Sequence, residues 1–296
     1  LQALGELPDP QVALRLLRHC AGFAKMVFST RVVPPSKHHN AAVAFDAAVR
    51  DCFERFSCLH PDADQWLQAT LSTESAGLGL RSMASHAGAA FLASRSACAP
   101  LCREIDPQHS FFTDGLPSPE REAIDGYNAR VNEGDKISAS AVTEWQQRDL
   151  SHALDKRVFM NLTDASCTSL SRRAHLNLLC ASGAGLWLHA LPSKSCGLHV
   201  EPVLFTTMLQ RWLRAPFAEE DHWCSLCDGV MDRFADHALV CCWGGDRTRR
   251  HNLIRNEAFH SACAAGLCPE LQKADLLPQK YDQEPLFVPI PYATYA

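Results

Sequence analysis

The chain has 296 residues, 47% of them hydrophobic, enough for one large or two modest domains with a core. Its net charge of −5 excludes a whole-chain attraction to nucleic acid or membrane, so any basic surface must be local. No apolar run of about eighteen residues occurs, which excludes a membrane span, and LQALGELPDP is neither a secretory signal nor a transit peptide.

The first elements read as helices. Asp9 is a good cap and Pro10 suits the first helical position. Leu14, Leu17, Ala21, Ala24 and Phe28 then recur at helical spacing until Pro34-Pro35 stops the run. A second helix is predicted over 40–58, with Ala41, Phe45, Val49, Cys52, Phe53 and Phe56 as its apolar face. AGLGLRSMASHAGAAFLAS, residues 76–94, reads as a tight turn at Gly77 and Gly79 and then a small-residue helix packed through Ala84, Ala87, Gly88 and Ala90. Residues 106–136 mix proline, glycine and charge with little sustained apolar period and read as a linker. Helical signal returns over 138–160 and 168–181. GAGLWLHALP, residues 183–192, reads as a short buried turn with a strand or helix, anchored by Trp187. Pro202 opens another helix, with Leu204, Phe205, Met208, Leu209, Trp212 and Leu213 on one side. The fold class expected is mostly α, with a small β-hairpin near the cysteine-rich segment that follows.

Cys20, Cys52, Cys58, Cys98, Cys102, Cys167, Cys180 and Cys196 are scattered singly. Without a secretory signal they read as reduced, small, buried residues. The cysteines after residue 223 cluster instead. CSLCDGVMDRFADHALVC, residues 224–241, contains Cys224-x2-Cys227 and His237-x3-Cys241. A tight turn lets the first pair present two thiolates to one ion, and the second pair lies one helical turn apart on one face. Gly229 is the expected turn point between them. Three thiolates and an imidazole suit structural Zn2+, and no nearby base or open position points to a catalytic ion. Cys242 could replace Cys241, His222 is a weaker substitute, and a cysteine-rich turn without metal is the plain alternative. FADH, residues 234–237, differs by one letter from the aspartate pair of a polymerase site. It lacks the flanking apolar strands such a pair requires, and the spacing assigns His237 to the metal.

After the cluster, Gly244-Gly245-Asp246 opens the helix DRTRRHNLIRNEAFHSACAAGL, with Asp246 as cap and Gly266 as stop. Arg247, His251 and Arg255 fall at i, i+4 and i+8, with Arg249 and Arg250 beside them. Leu253, Ile254, Ala258, Ala262 and Ala265 offer packing surface. The basic residues suit contact with the phosphate backbone of RNA or DNA, against the alternative of a solvated helix face.

The order Cys-x2-Cys, His-x3-Cys, Gly-Gly-Asp-Arg, Arg-His-Asn and an AAGL-type helix end resembles the C-terminal part of LINE-like, non-LTR retrotransposon polyproteins. More narrowly, it resembles the class whose reverse transcriptase precedes a CCHC zinc knuckle and a restriction-like endonuclease. LLRHCAGFAKMVFSTRVVPP, FDAAVRDCF and AGLGLRSMASHAGAAFLAS resemble the region after the polymerase palm, including the thumb, and WLHALP resembles the linker before the knuckle. The resemblance covers most of residues 10–278. It implies a thumb-like helical region over 1–105, a linker over 106–136, a helical connector over 137–218, a zinc knuckle with its basic helix over 219–270 and a divergent tail over 271–296. It implies RNA or DNA as partner, together with the palm and nuclease domains of the parent polyprotein. It also implies that Arg15, Arg18, Lys25 and Arg31 could track a template–primer duplex, with ordinary surface charge as the alternative. The opening Leu1 suggests a fragment, and QKYDQEPLFVPIPYATYA carries neither a Pro-Asp nor a Glu/Asp-x-Lys nuclease pattern. The expectation is therefore a non-enzymatic nucleic-acid-binding fragment, nuclear or cytoplasmic and not secreted. A label taken from the parent polymerase, or a zinc-stabilised protein-interaction module, are the alternatives.

Overall fold

A computed structural model describes residues 1–110, 118–138, 145–241, 243 and 246–271. The readings of Cys242, of Gly244-Gly245, of the Asp246 side chain and of the tail beyond residue 271 lie outside these. The chain forms two units that divide after Pro216. The first takes in all that the sequence divides into thumb-like region, linker and most of the connector.

The first unit is helical: α1 Gln2–Gly5, α2 Pro10–Leu16, α3 Phe23–Val32, α4 Pro35–Ser57, α5 Ala63–Thr70, α6 Met83–Ile105, α7 Pro119–Asn128, α8 Gln147–Leu162, α9 Leu170–Leu179 and α10 Pro202–Trp212. Asp9 caps α2 by accepting from the amides of Gln11 and Val12, as the sequence predicts. The single helix expected from Pro10 to Phe28 is broken, however. A π-helical turn, Leu17–Ala21, ends at Gly22, whose amide donates to the Leu17 carbonyl at 2.7 Å. A Cβ at Gly22 would lie 2.6 Å from that oxygen, so only glycine lets the chain turn so tightly there. Pro34-Pro35 marks a boundary as expected, and Pro35 also starts α4 at its first position.

Helix α6 runs through the middle of this unit. Its small residues let neighbours approach from several sides, and Ala87, Ala89, Ala90, Phe91 and Leu92 are all buried. With α7 and α8 it builds a core of Phe91, Leu92, Ala123, Ile124, Tyr127, Leu150 and Leu154. With α3 and α4 it encloses Phe23, Ala42 and Met83. A further core joins α2, α4, α5, α10 and the turn Leu186–His189 through Leu14, Phe53, Phe56, Leu188, Phe205 and Leu209. Trp187 packs edge-on against Phe205 and Trp212, with ring centres 5.5 and 5.7 Å apart, so it anchors its segment as predicted. That segment is a short 3-10 helix rather than a strand.

Two expectations need correction. The segment read as a linker holds α7. Ser118 caps it by accepting from the Arg121 amide, Pro119 starts it, and Ala123, Ile124 and Tyr127 are buried. Three apolar contacts suffice because α6 and α8 supply the rest of the core. The scattered cysteines are mostly not core residues either. Cys52 is buried and Cys102 half-buried, whereas Cys20, Cys58, Cys98, Cys167, Cys180 and Cys196 are exposed.

The second unit contains the antiparallel pair β1 His222–Trp223 and β2 Val230–Met231, then α11 Asp236–Val240 and α12 Asp246–Ala264. Its register sets His222 against Met231 and Trp223 against Val230. No helix among the described residues is long and apolar enough to cross a membrane.

Candidate metal centre

The hairpin brings Cys224 and Cys227 to one end of the second unit. The Cys224 amide donates to the Gly229 carbonyl at 2.9 Å and closes the turn. Within it, the Leu226 amide donates to Cys224 Sγ and the Gly229 amide to Cys227 Sγ, each at 3.4 Å. Amides aimed at both sulfurs stabilise them as thiolates, the form in which they bind metal. A side chain at residue 229 would obstruct the site: its Cβ would lie 2.7 Å from His237 Cε1 and 3.2 Å from Cys227 Sγ.

Helix α11 supplies the other two side chains. It has only five residues and buries none of them, so local bonds must start it. Asp232 does so from outside the helix. Its carboxylate accepts from the His237 amide at 2.8 Å and the Phe234 amide at 3.0 Å. Burial alone would raise the Asp232 carboxyl; the amides of His237, Asp236 and Phe234 outweigh it and hold the group below its ordinary value. Ala235 takes a left-handed conformation, φ 58°, that turns the chain into the helix. Asp232 in turn is framed by Arg233, whose amide donates to Asp221 and whose carbonyl accepts from Phe217.

One ligand atom from each of Cys224, Cys227, His237 and Cys241 lies within 4.8 Å of the others. Cys241 Sγ is 4.0 Å from Cys224 Sγ and 3.8 Å from Cys227 Sγ, while His237 Nε2 is 3.2 Å from Cys227 Sγ. Two sulfurs on a tetrahedral ion with metal–sulfur bonds of about 2.3 Å stand about 3.8 Å apart, so the donor set fits such an ion. The same spacing is far beyond a disulfide bond of about 2.05 Å. Electrostatics agree with the geometry. The Leu226 amide is the main reason the Cys224 thiol falls to about 6, with the Cys227 amide and the His237 and Cys227 side chains assisting against burial. Cys227 moves the other way. The Gly229 amide favours its thiolate, but burial and the sulfurs of Cys224 and Cys241 outweigh it. Three sulfurs so close cannot all carry charge without a cation among them.

These four residues could hold a metal ion. Among the described residues they are the one Cys/His/Asp/Glu group that converges in this way; His222, on β1, is not part of it. Cys224 and Cys241 are also the only buried side chains among the described residues of this unit.

The basic helix is present as α12, with Arg247, Arg249 and His251 exposed and Arg250 and Arg255 half-buried. Arg255 donates to Asn256 Oδ1 at 2.9 Å. The packing surface expected of this helix is uncovered, with Leu253 62% and Ile254 73% exposed. The early arginines are engaged within the first unit. Arg15 donates to the His189 carbonyl and Arg18 to that of Leu188, both at 2.8 Å, and Arg31 donates to Gln147 Oε1. No protein-family profile, no curated protein and no solved structure matches this chain.

Proposed function

We propose that the chain is a nucleic-acid-binding part of a retrotransposon reverse transcriptase–endonuclease polyprotein, with a structural Zn2+ at Cys224, Cys227, His237 and Cys241. The observation that carries this reading is the convergence of four ligand atoms within 4.8 Å, in the Cys-x2-Cys, His-x3-Cys order of a CCHC knuckle, just before an exposed basic helix. Bound zinc supplies a cross-link between hairpin and α11, where no described side chain other than Cys224 and Cys241 is buried. Arg247, Arg249, Arg250, His251 and Arg255 then contact phosphates, positioning RNA or DNA without reading bases. On this reading the chain acts through binding.

Two measurements test this. Mass spectrometry of the purified chain should find one zinc per molecule, and His237→Ala should reduce it; unchanged stoichiometry would remove His237 from the ligand set. Filter binding to RNA and DNA should weaken with salt, and Arg247→Gln with Arg250→Gln should lower the slope by about one per arginine removed. No retention of either nucleic acid at low salt would sink the binding reading. The exposed Leu253 and Ile254 favour a second reading, a zinc-stabilised protein-interaction module. It gains if zinc is bound but neither nucleic acid is retained.

A further inference from the structure

Cys241 Sγ lies 3.8 Å from Cys227 Sγ and 4.0 Å from Cys224 Sγ. It lies just past the end of α11, a five-residue helix with no buried side chain to resist a small rotation. Cys227 is half-buried, whereas Cys224 and Cys241 are buried, so a small solute reaches Cys227 first. A sulfur cannot both close a disulfide and complete a four-ligand metal shell.

We propose that this cluster is also a peroxide-responsive thiol switch, in which a Cys227–Cys241 disulfide forms and the metal is released. The proposal rests on the metal reading of the same residues. The Cys227 thiolate attacks one oxygen of hydrogen peroxide; the O–O bond breaks, hydroxide leaves and takes a proton to become water, and Cys227 is left as the sulfenic acid. The Cys241 thiolate then attacks the Cys227 sulfur and displaces hydroxide, which is protonated to a second water. Two sulfurs give up two electrons and one peroxide is reduced to two waters. Only Cys224 and His237 remain as ligands, too few for a closed shell. Because no other described residue of the second unit is buried, loss of the ion also removes what holds hairpin and helix together.

The test uses the full chain loaded with zinc. Hydrogen peroxide is added in stoichiometric amounts, released zinc is followed with a chromogenic chelator, and disulfides are mapped by mass spectrometry after alkylation. The expected result is loss of one zinc for each Cys227–Cys241 disulfide, with zinc rebound after a reductant is added. Zinc loss with Cys227 driven to sulfinic or sulfonic acid and no disulfide overturns the proposal, as does zinc retained while only the scattered cysteines oxidise. A second arm oxidises the reduced, metal-free chain, where the same disulfide should form. Its absence there also overturns the switch. Failure of the reduced chain to take up zinc counts instead against the metal reading.

Discussion

Single residues set both the metal cluster and the charge balance of the larger unit. Gly229→Ala would force His237 or Cys227 out of place, because the new Cβ meets the imidazole at 2.7 Å. Competition against a chelator should show metal affinity reduced roughly tenfold or more. His175 illustrates a different control. It is buried, and its Nε2–H donates to the Trp212 carbonyl at 3.1 Å. Burial, with Arg214, Arg211 and Arg172 adding to it, lowers the imidazole from 6.5 to about 4 despite that bond. Between these values the unfolded chain binds a proton that the folded chain refuses, so stability falls as pH drops from 6.5 towards 4. The loss is on the order of 3 kcal/mol at the bottom of the window. His175→Gln, which retains a donor, should flatten the pH dependence of the denaturant midpoint there; equal slopes in both proteins would remove His175 as its source. At this scale the sequence was readable where ligands follow a spacing rule, as His237 and Cys241 do. Asp232 was not readable, since it caps α11 from four positions before the helix begins.

Among the elements, the block AGLGLRS acquires a structural account. The Gly77 amide donates to the Ser72 carbonyl and the Gly79 amide to that of Leu71, folding the chain back on the end of α5. A Cβ at Gly77 would fall 2.0 Å from the Leu71 carbonyl oxygen, and Gly79 sits at φ +74° against the Arg18 guanidinium. Trp212 Nε1 donates to the Ala76 and Gly77 carbonyls at 2.9 and 3.1 Å, and Gln68 donates to Ala76 and Trp212. The carbonyls ending α10 are thereby occupied: Trp212 by Gln68 and His175, Leu213 by Arg172, Arg214 by Gln65. This explains why two glutamines and a histidine are buried, and why cations gather at the negative end of a helix. Trp212→Phe keeps a ring beside Trp187 but removes the donor, at a cost of about 1–2 kcal/mol in chemical denaturation. Gly77→Ala should cost about 3 kcal/mol or more, since the backbone itself must move. Gly77 and Gly79 announced this turn from the sequence. Helix α7 did not announce itself through periodicity, because Ala123, Ile124 and Tyr127 are its only buried apolar residues; Ser118-Pro119-Glu120 was the capping signal available.

Across the whole molecule, the two units are built on different principles. The first draws stability from several apolar clusters around α6 and from arginines spent on its own carbonyls. Composition announces such a helical core, but it cannot say which charges are consumed internally, because that depends on long-range partners such as Arg15 and His189. Among its described residues the second unit buries only Cys224 and Cys241, and Trp223, Val240, Trp243, Leu253 and Ile254 are exposed. On the zinc reading, the order of its described part comes from the ion and the local bonds around it. Chelation should separate the two units. Hydrogen exchange of the zinc-loaded chain, before and after a strong chelator, should lose amide protection across 222–241, most sharply at Cys224 and Cys241, whose amides donate to Gly229 and His237. Protection in α6 and α8 should stay unchanged. Protection retained at Cys224 and Cys241 after the metal is removed would show that hairpin and helix hold without it, and loss in α6 would show that the units do not unfold separately.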